Sequence, residues 1–130
     1  MASIFTKIIN REIPAHIVAE NDNFIAFLDA FPIKKGHTLV VPKKEVDYIF
    51  ELDSATYSSL MEFTKTIAVG LKKAIPCEKV GVAVVGLEVP HVHVHLVPMD
   101  EVGDMNFSNP KLKFETSELE AVTRLIKDNL

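Results

Sequence analysis

A chain of 130 residues, 48% hydrophobic and 25% charged, has the balance of one globular domain able to bury a core. Its net charge of −4, with no basic block, argues against extended contact with nucleic acid, while backbone amides and a few local cations can still hold one small anion. Cys77 stands alone, which removes a disulfide framework and a cysteine-based metal site. The stretch Met1 to Lys7 carries one charge and no long apolar run, unlike a secretory leader or a membrane span. A cytoplasmic setting is therefore expected.

In chain order, Ser3 to Asn10 reads as a short helix. Ser3 is its cap, and Ile4, Phe5, Ile8 and Ile9 form its apolar stripe, with the end before Pro14. Ala15 to Glu20 and Phe24 to Asp29 read as two strands joined by Asn21-Asp22-Asn23. Phe31 to Gly36 is a loop with two lysines. The run His37 to Pro42 is β-branched and continuously apolar after its histidine, as in a strand buried on both faces. Asp53 or Ser54 caps a long helix, in which Tyr57, Leu60, Met61, Thr64, Ile67, Ala68 and Leu71 repeat at spacings of three and four. Lys72 and Lys73 occupy its last turn, where cations suit the helix dipole, and Pro76 lies beyond. Lys79 to Val85 is a further apolar strand, and Gly86 to Pro90 turns the chain. A polar connection from Asp100 to Pro110 leads to Ser117-Glu118-Leu119-Glu120, a capping-box pattern opening a helix with Leu119, Val122, Leu125 and Ile126 inward. Short links between strands favour an α+β domain, with a mostly antiparallel sheet and helices on one side.

The chemistry concentrates in Pro90-His91-Val92-His93-Val94-His95-Leu96-Val97-Pro98. Strict alternation sends His91, His93 and His95 to one face of a strand and Val92, Val94 and Leu96 to a core. At roughly 3.3 Å of rise per residue the outer histidines stand about 13 Å apart at Cα, too far for all three to share one zinc at bonds of about 2 Å. A row suits a different task. The middle imidazole acts as a nucleophile, while neighbours fix its tautomer and meet the charge of the substrate.

On these residues the chain closely resembles the histidine triad (HIT) family of nucleotide hydrolases and transferases, in its Hint-like branch. The triad motif is continuous, and further likeness runs through Ser3-Ile4-Phe5-x-Lys7-Ile8-Ile9, Glu12-Ile13-Pro14-Ala15, Ala26-Phe27-x-Asp29 and His37-x-Leu39-Val40-Val41-Pro42-Lys43. It covers about residues 3 to 98. The resemblance implies a HIT-like fold over residues 1–99, with the loop and helix of residues 100–130 as an extension of the same globular unit.

For function, the resemblance implies attack by His93 on the α-phosphorus of a purine nucleotide conjugate. A nucleotidyl-histidine forms, and water then releases the monophosphate. His91 and His95 are the implied flanking members and His37 an implied fourth histidine of the network. Asp29 is implied to hold the ribose hydroxyls, and Ile4, Phe5, Ile8, Ile13 and Phe27 to line the purine. No cofactor, metal, nucleic acid or membrane is implied. A homodimer is, consistent with spare apolar surface on Lys79 to Val85 and on the long helix.

Departures from the family pattern lie just upstream of the triad. Leu87 stands where glutamine is common, the loop Val82 to Glu88 is short and apolar, and Glu88 is the remaining candidate for contact with a leaving group. Glu45 replaces a histidine seen in some members. Two other readings stand beside the enzyme: a nucleotide-binding module without turnover, and a metal site built from two triad histidines and His37.

Overall fold

The computed structural model describes residues 2–130; Met1, the first residue of the expected domain span, lies outside the described residues. The elements run in the order α1 (Ile4–Ile9), β1 (Ile17–Glu20), β2 (Phe24–Leu28), β3 (Thr38–Pro42), α2 (Ser54–Ala74), β4 (Lys79–Ala83), β5 (Val94–Met99) and α3 (Thr116–Asp128), with single 3-10 turns at Ile49–Glu51 and Val102–Met105. The five strands form one sheet in the order β1-β2-β3-β5-β4, every neighbouring pair antiparallel. No helix among the described residues is long and apolar enough to cross a membrane.

Alternation along the strands divides the interior in two. Phe24, Ala26 and Leu28 of β2, Val40 of β3 and Val94 and Leu96 of β5 face a large cluster with Leu60, Ile67 and Leu71 of α2 and Val122 and Ile126 of α3. Ile25, Phe27, Leu39 and Val41 face the other way and pack on Phe5 and Ile8 of α1. The expectation of helices on one side therefore holds for α2 and α3 and fails for α1. Its six residues present only two buried side chains, enough to cover one end of the opposite face and no more.

Local chemistry explains most boundaries. Ser3 Oγ accepts the backbone N–H of Thr6 at 3.1 Å and caps α1; Asp53 Oδ1 accepts that of Thr56 at 2.7 Å and caps α2. On α2 the stripe is right at Leu60, Thr64, Ile67 and Leu71, whereas Tyr57 is exposed and stacks near Phe50 instead. Helix α3 begins before Ser117: Glu115 and Glu118 make the reciprocal bonds of the capping box. Its inward stripe is Leu119, Val122 and Ile126, with Leu125 one step off that line and exposed. Strand β4 is an edge strand, and Val82 is open to solvent while Val80, Gly81 and Ala83 are half-buried.

The largest difference concerns the histidine strand, which pairs from Val94 and not from His91. Pairing of β3 with β5 runs Thr38–Leu96, Leu39–His95, Val40–Val94 and stops. Two residues further, the same register would require a backbone donor from Pro42, which has none. His91 and His93 thus sit on a segment held by other bonds, including Val92 N–H to the Val46 carbonyl at 2.7 Å.

Gly36 makes the turn that delivers His37 to β3. Its φ is +89°, and a Cβ there would lie 3.0 Å from Ile75 Cγ1 and 3.2 Å from Pro98 Cγ. Both conformation and space exclude a side chain. Gly36→Ala is expected to lower the unfolding free energy by about 1–3 kcal/mol, read from urea denaturation; a midpoint equal to that of the unmodified protein would refute this.

Candidate functional site

All four histidines expected at the site meet on the face of the sheet that α1 covers. His95 lies on β5 opposite Leu39, His93 and His91 precede it, and His37 enters β3 from the Gly36 turn. Their exposures are 8, 7, 0 and 2% respectively. Burial of this degree requires each polar ring atom to find a partner, and the partners assign the protons.

His91 Nε2 lies 2.7 Å from the Pro42 carbonyl. A carbonyl only accepts, so Nε2 carries the hydrogen and Nδ1 the lone pair. That lone pair receives Ser3 Oγ–H at 2.6 Å. His93 Nδ1 lies 2.7 Å from the His91 carbonyl, so Nδ1 is the N–H and Nε2 holds the lone pair. His37 Nδ1 accepts the Ile33 backbone N–H at 3.2 Å; its Nε2–H then donates to His95 Nδ1 at 2.9 Å, which leaves His95 Nε2 as a donor. One nucleophilic nitrogen, on His93, and one neighbouring N–H, on His95, are the chemically free positions of the four rings. The His93 and His95 ring centroids are 5.0 Å apart.

Burial keeps three of these rings neutral. His37, His91 and His95 all titrate below the ordinary imidazole value, the chief cause in each being removal from water. The shift of His95 is large, to about 3, with repulsion from His37 and His93 adding to it. For His37 the nearby Asp29 works in the opposite sense and does not overcome burial.

Asp29 follows β2, half-buried. Its Oδ1 accepts the Phe31 N–H at 2.8 Å, as a turn cap does, and its Oδ2 stands 3.5 Å from His37 Nε2. The carboxylate therefore closes a turn and faces the histidine pair at once, with further lone pairs open to hydroxyl donors. Phe5 packs 5.6 Å from Phe27, 4.8 Å from His93 and 5.9 Å from His91. Ile8 is buried and Ile13 half-buried in the same cluster, while Ile4 is half exposed. Glu88 is exposed and lies beside Leu87, which is 90% exposed. Lys43 and Lys34 bond to Glu20 and Asp104, so neither is a free cation for the site.

Some neighbours of the triad carried no signal in the sequence. Phe107, from the polar connection after β5, sets its ring 4.7 Å from His95 and 6.2 Å from His37. Ser3 and Thr6, legible only as part of a helix start, reach His91. Glu45 accepts from both, at 2.7 Å from Ser3 N–H and 2.7 Å from Thr6 Oγ1–H.

Asp29, His37 and His95 bring potential ligand atoms within 4.8 Å of one another. Their chemistry does not fit a cation. A metal on His37 Nε2 needs the proton on Nδ1, yet Nδ1 is turned to the Ile33 N–H and holds a lone pair toward it. The close pair is a hydrogen bond between neutral rings.

A family model described as the HIT domain matches residues 10–102. Among solved structures, a HIT-like protein from Bartonella henselae superposes with a TM-score of 0.85 at 32% identity, over 98% of this chain and 96% of that one. A hypothetical histidine triad nucleotide-binding protein from Sulfolobus tokodaii gives a TM-score of 0.82 at 30% identity, over 96% and 89%. An adenosine 5'-monophosphoramidase of Schizosaccharomyces pombe is 29% identical over 136 residues, covering 100% of this chain and 99% of that protein. With the HIT model matching most of the chain and its fold shared with these structures, the chain belongs to the histidine triad (HIT) family.

Proposed function

We propose that the protein is a nucleotide hydrolase or transferase acting at the α-phosphorus of purine nucleotide conjugates, phosphoramidates or dinucleoside polyphosphates, through His93. The single observation that carries this reading is the proton assignment. The carbonyl of His91 holds His93 as the tautomer with a free lone pair on Nε2, the form a nucleophile needs near neutral pH. The monophosphoramidase relative and the nucleotide-binding neighbour support the substrate class.

In this reading His93 Nε2 forms a bond to the α-phosphorus, and the bond from phosphorus to the leaving amine or phosphate breaks with its electron pair, a leaving amine taking up a proton from solvent as it departs. His95 Nε2–H donates to a phosphoryl oxygen and offsets the charge that builds there. Water then attacks the phosphorus, the phosphorus–nitrogen bond returns its pair to His93, and the nucleoside monophosphate leaves. Asp29 accepts the ribose hydroxyls, and Phe5, Phe27, Ile4, Ile8 and Ile13 flank the base. Glu88 is the group nearest in sequence to the triad for a leaving-group contact. His91, with both ring nitrogens engaged, acts on the nucleophile through its carbonyl.

The proposed assembly is a homodimer formed along β4, within the cytoplasm. Support comes from an edge strand paired only on its β5 side and from Val82, Val84 and Val85, each more than a third exposed beside it, a combination that isolated sheets avoid.

Three outcomes test these statements. Incubation with an α-phosphate-labelled adenosine phosphoramidate should leave label on the protein and release AMP, and His93→Ala should abolish both with its circular dichroism unchanged. Binding without AMP release from any phosphoramidate or dinucleotide would favour a module without turnover instead. Light scattering should give roughly twice the 14.5 kDa chain mass, and Val82→Lys should reduce it to one chain; a monomeric unmodified protein contradicts the dimer.

The third outcome is a pH dependence. The unfolded chain takes up protons near pH 6.5, before the buried rings of His37, His91 and His95 do. Stability is thus full above that value and falls as pH drops from there toward the folded values, about 3 for His95, by about 1.4 kcal/mol per pH unit for each such ring. Urea midpoints should decline from pH about 7 to about 5, above the range in which the carboxylates titrate; a constant midpoint would show that the rings ionise within the fold.

A further inference from the structure

The segment bearing His91 and His93 has no ladder partner on β3, yet its geometry must be set closely if His93 is to present one nitrogen to a phosphorus. Three bonds hold it. Val92 N–H meets the Val46 carbonyl, His91 Nε2–H meets the Pro42 carbonyl, and His91 Nδ1 receives Ser3 Oγ–H. The first two come from the chain leaving β3. The third comes from the start of α1, 88 residues away in sequence.

Ser3 cannot hold that position alone. Its hydroxyl already accepts the capping bond from Thr6 N–H, and it could swing to Thr6 Oγ1, 3.4 Å away. Glu45 anchors both residues. One oxygen, Oε1, takes the Ser3 backbone N–H and Thr6 Oγ1–H, both at 2.7 Å. The same atom lies 3.9 Å from His91 Nδ1. With its proton committed to the carboxylate, Thr6 does not compete as a donor to His91 Nδ1, 3.5 Å from its Oγ1, and the Ser3 hydroxyl, 2.6 Å from that nitrogen, donates to it. The Glu45 carboxylate is held below the ordinary range by these same bonds, so it is ionised at neutral pH and acts as an acceptor only.

We propose that Glu45, through Ser3 and Thr6, is a positioning residue for the nucleophile: it orients the Ser3 hydroxyl onto His91, and the His91 carbonyl in turn fixes His93 with its lone pair on Nε2. The proposal rests on the reading of His93 as nucleophile. It extends that reading to an exposed carboxylate on the loop after β3, which touches neither substrate nor reacting atoms. It also accounts for a serine at the helix cap where aspartate would cap equally well: a carboxylate cannot donate to His91 Nδ1, and a hydroxyl can.

The test uses the full chain labelled with nitrogen-15 in histidine. In the unmodified protein at neutral pH, the imidazole proton–nitrogen spectrum should show His93 as a single Nδ1–H tautomer. Glu45→Ala and Ser3→Ala should shift His93 toward the mixed tautomers of a free imidazole, and Glu45→Gln, whose amide oxygen can accept the same two donors, should restore the original pattern. With an adenosine phosphoramidate, Glu45→Ala should lower kcat on the order of 10- to 100-fold while KM stays within about twofold, because base and ribose contacts are untouched. A merely structural Glu45 would lower the melting temperature and leave the His93 spectrum in place. That unchanged spectrum in both alanine variants overturns the proposal, whatever happens to the rate. Should the protein turn over no conjugate, the proposed activity fails, and the imidazole spectrum still decides the positioning role on its own.

Discussion

Four imidazoles share the interior of one sheet face, and each is tolerated there only as a neutral ring whose nitrogens have partners. That constraint organises the site. A charged ring would be costly at such burial, and a neutral ring has one donor and one acceptor, so every partner dictates a proton position. The carbonyls of Pro42 and His91, the Ile33 amide and the Ser3 hydroxyl between them leave no ambiguity for three of the rings, and the fourth, His95, follows from His37. The arrangement delivers a lone pair on His93 and an N–H on His95 side by side, the pairing that phosphoryl chemistry uses.

Pro42 is the pivot between fold and chemistry. As the last residue of β3 it pairs with Phe24 of β2, but without an N–H it cannot continue the ladder to β5. The triad segment is released from the sheet two residues before β5 begins, and the Pro42 carbonyl is taken by a side chain instead of a strand. An ideal strand would have paired His91 and His93 through their backbones. Freed from the ladder, the His91 carbonyl is available to the ring of His93.

The side chains packed around the histidines are drawn from distant parts of the chain. Helix α1 supplies both the apolar contact of Phe5 with His93 and the hydroxyl of its cap Ser3 on His91, which ties the packing of a six-residue helix to the histidine segment. The connection after β5 supplies Phe107, which closes the far side of His95. These contacts shield the histidines and explain why rings so close to a reactive position are nearly inaccessible to water.

Much was legible from the sequence, and for identifiable reasons. The five strands, the long helix and the alternation that sends Val92, Val94 and Leu96 to the core follow from local periodicity, whereas the gathering of His37 with the triad was implied only by the family resemblance. The antiparallel order with α2 on one face follows from link lengths. What local pattern could not determine was set by partners remote in the chain. Strand β5 begins at Val94 because of a proline on another strand. Tyr57 and Leu125 point to solvent because core stripes are defined by what faces them. Ser3, Glu45 and Phe107 join the site because tertiary packing brings residues 3 and 45 to His91 and residue 107 to His95 and His37. The motif and the family resemblance single out four histidines; where their protons sit follows from the fold, since a tautomer is fixed by its hydrogen-bond partners, and most of these, Pro42, Ile33, Ser3 and His37, lie outside the motif, with the His91 carbonyl within it.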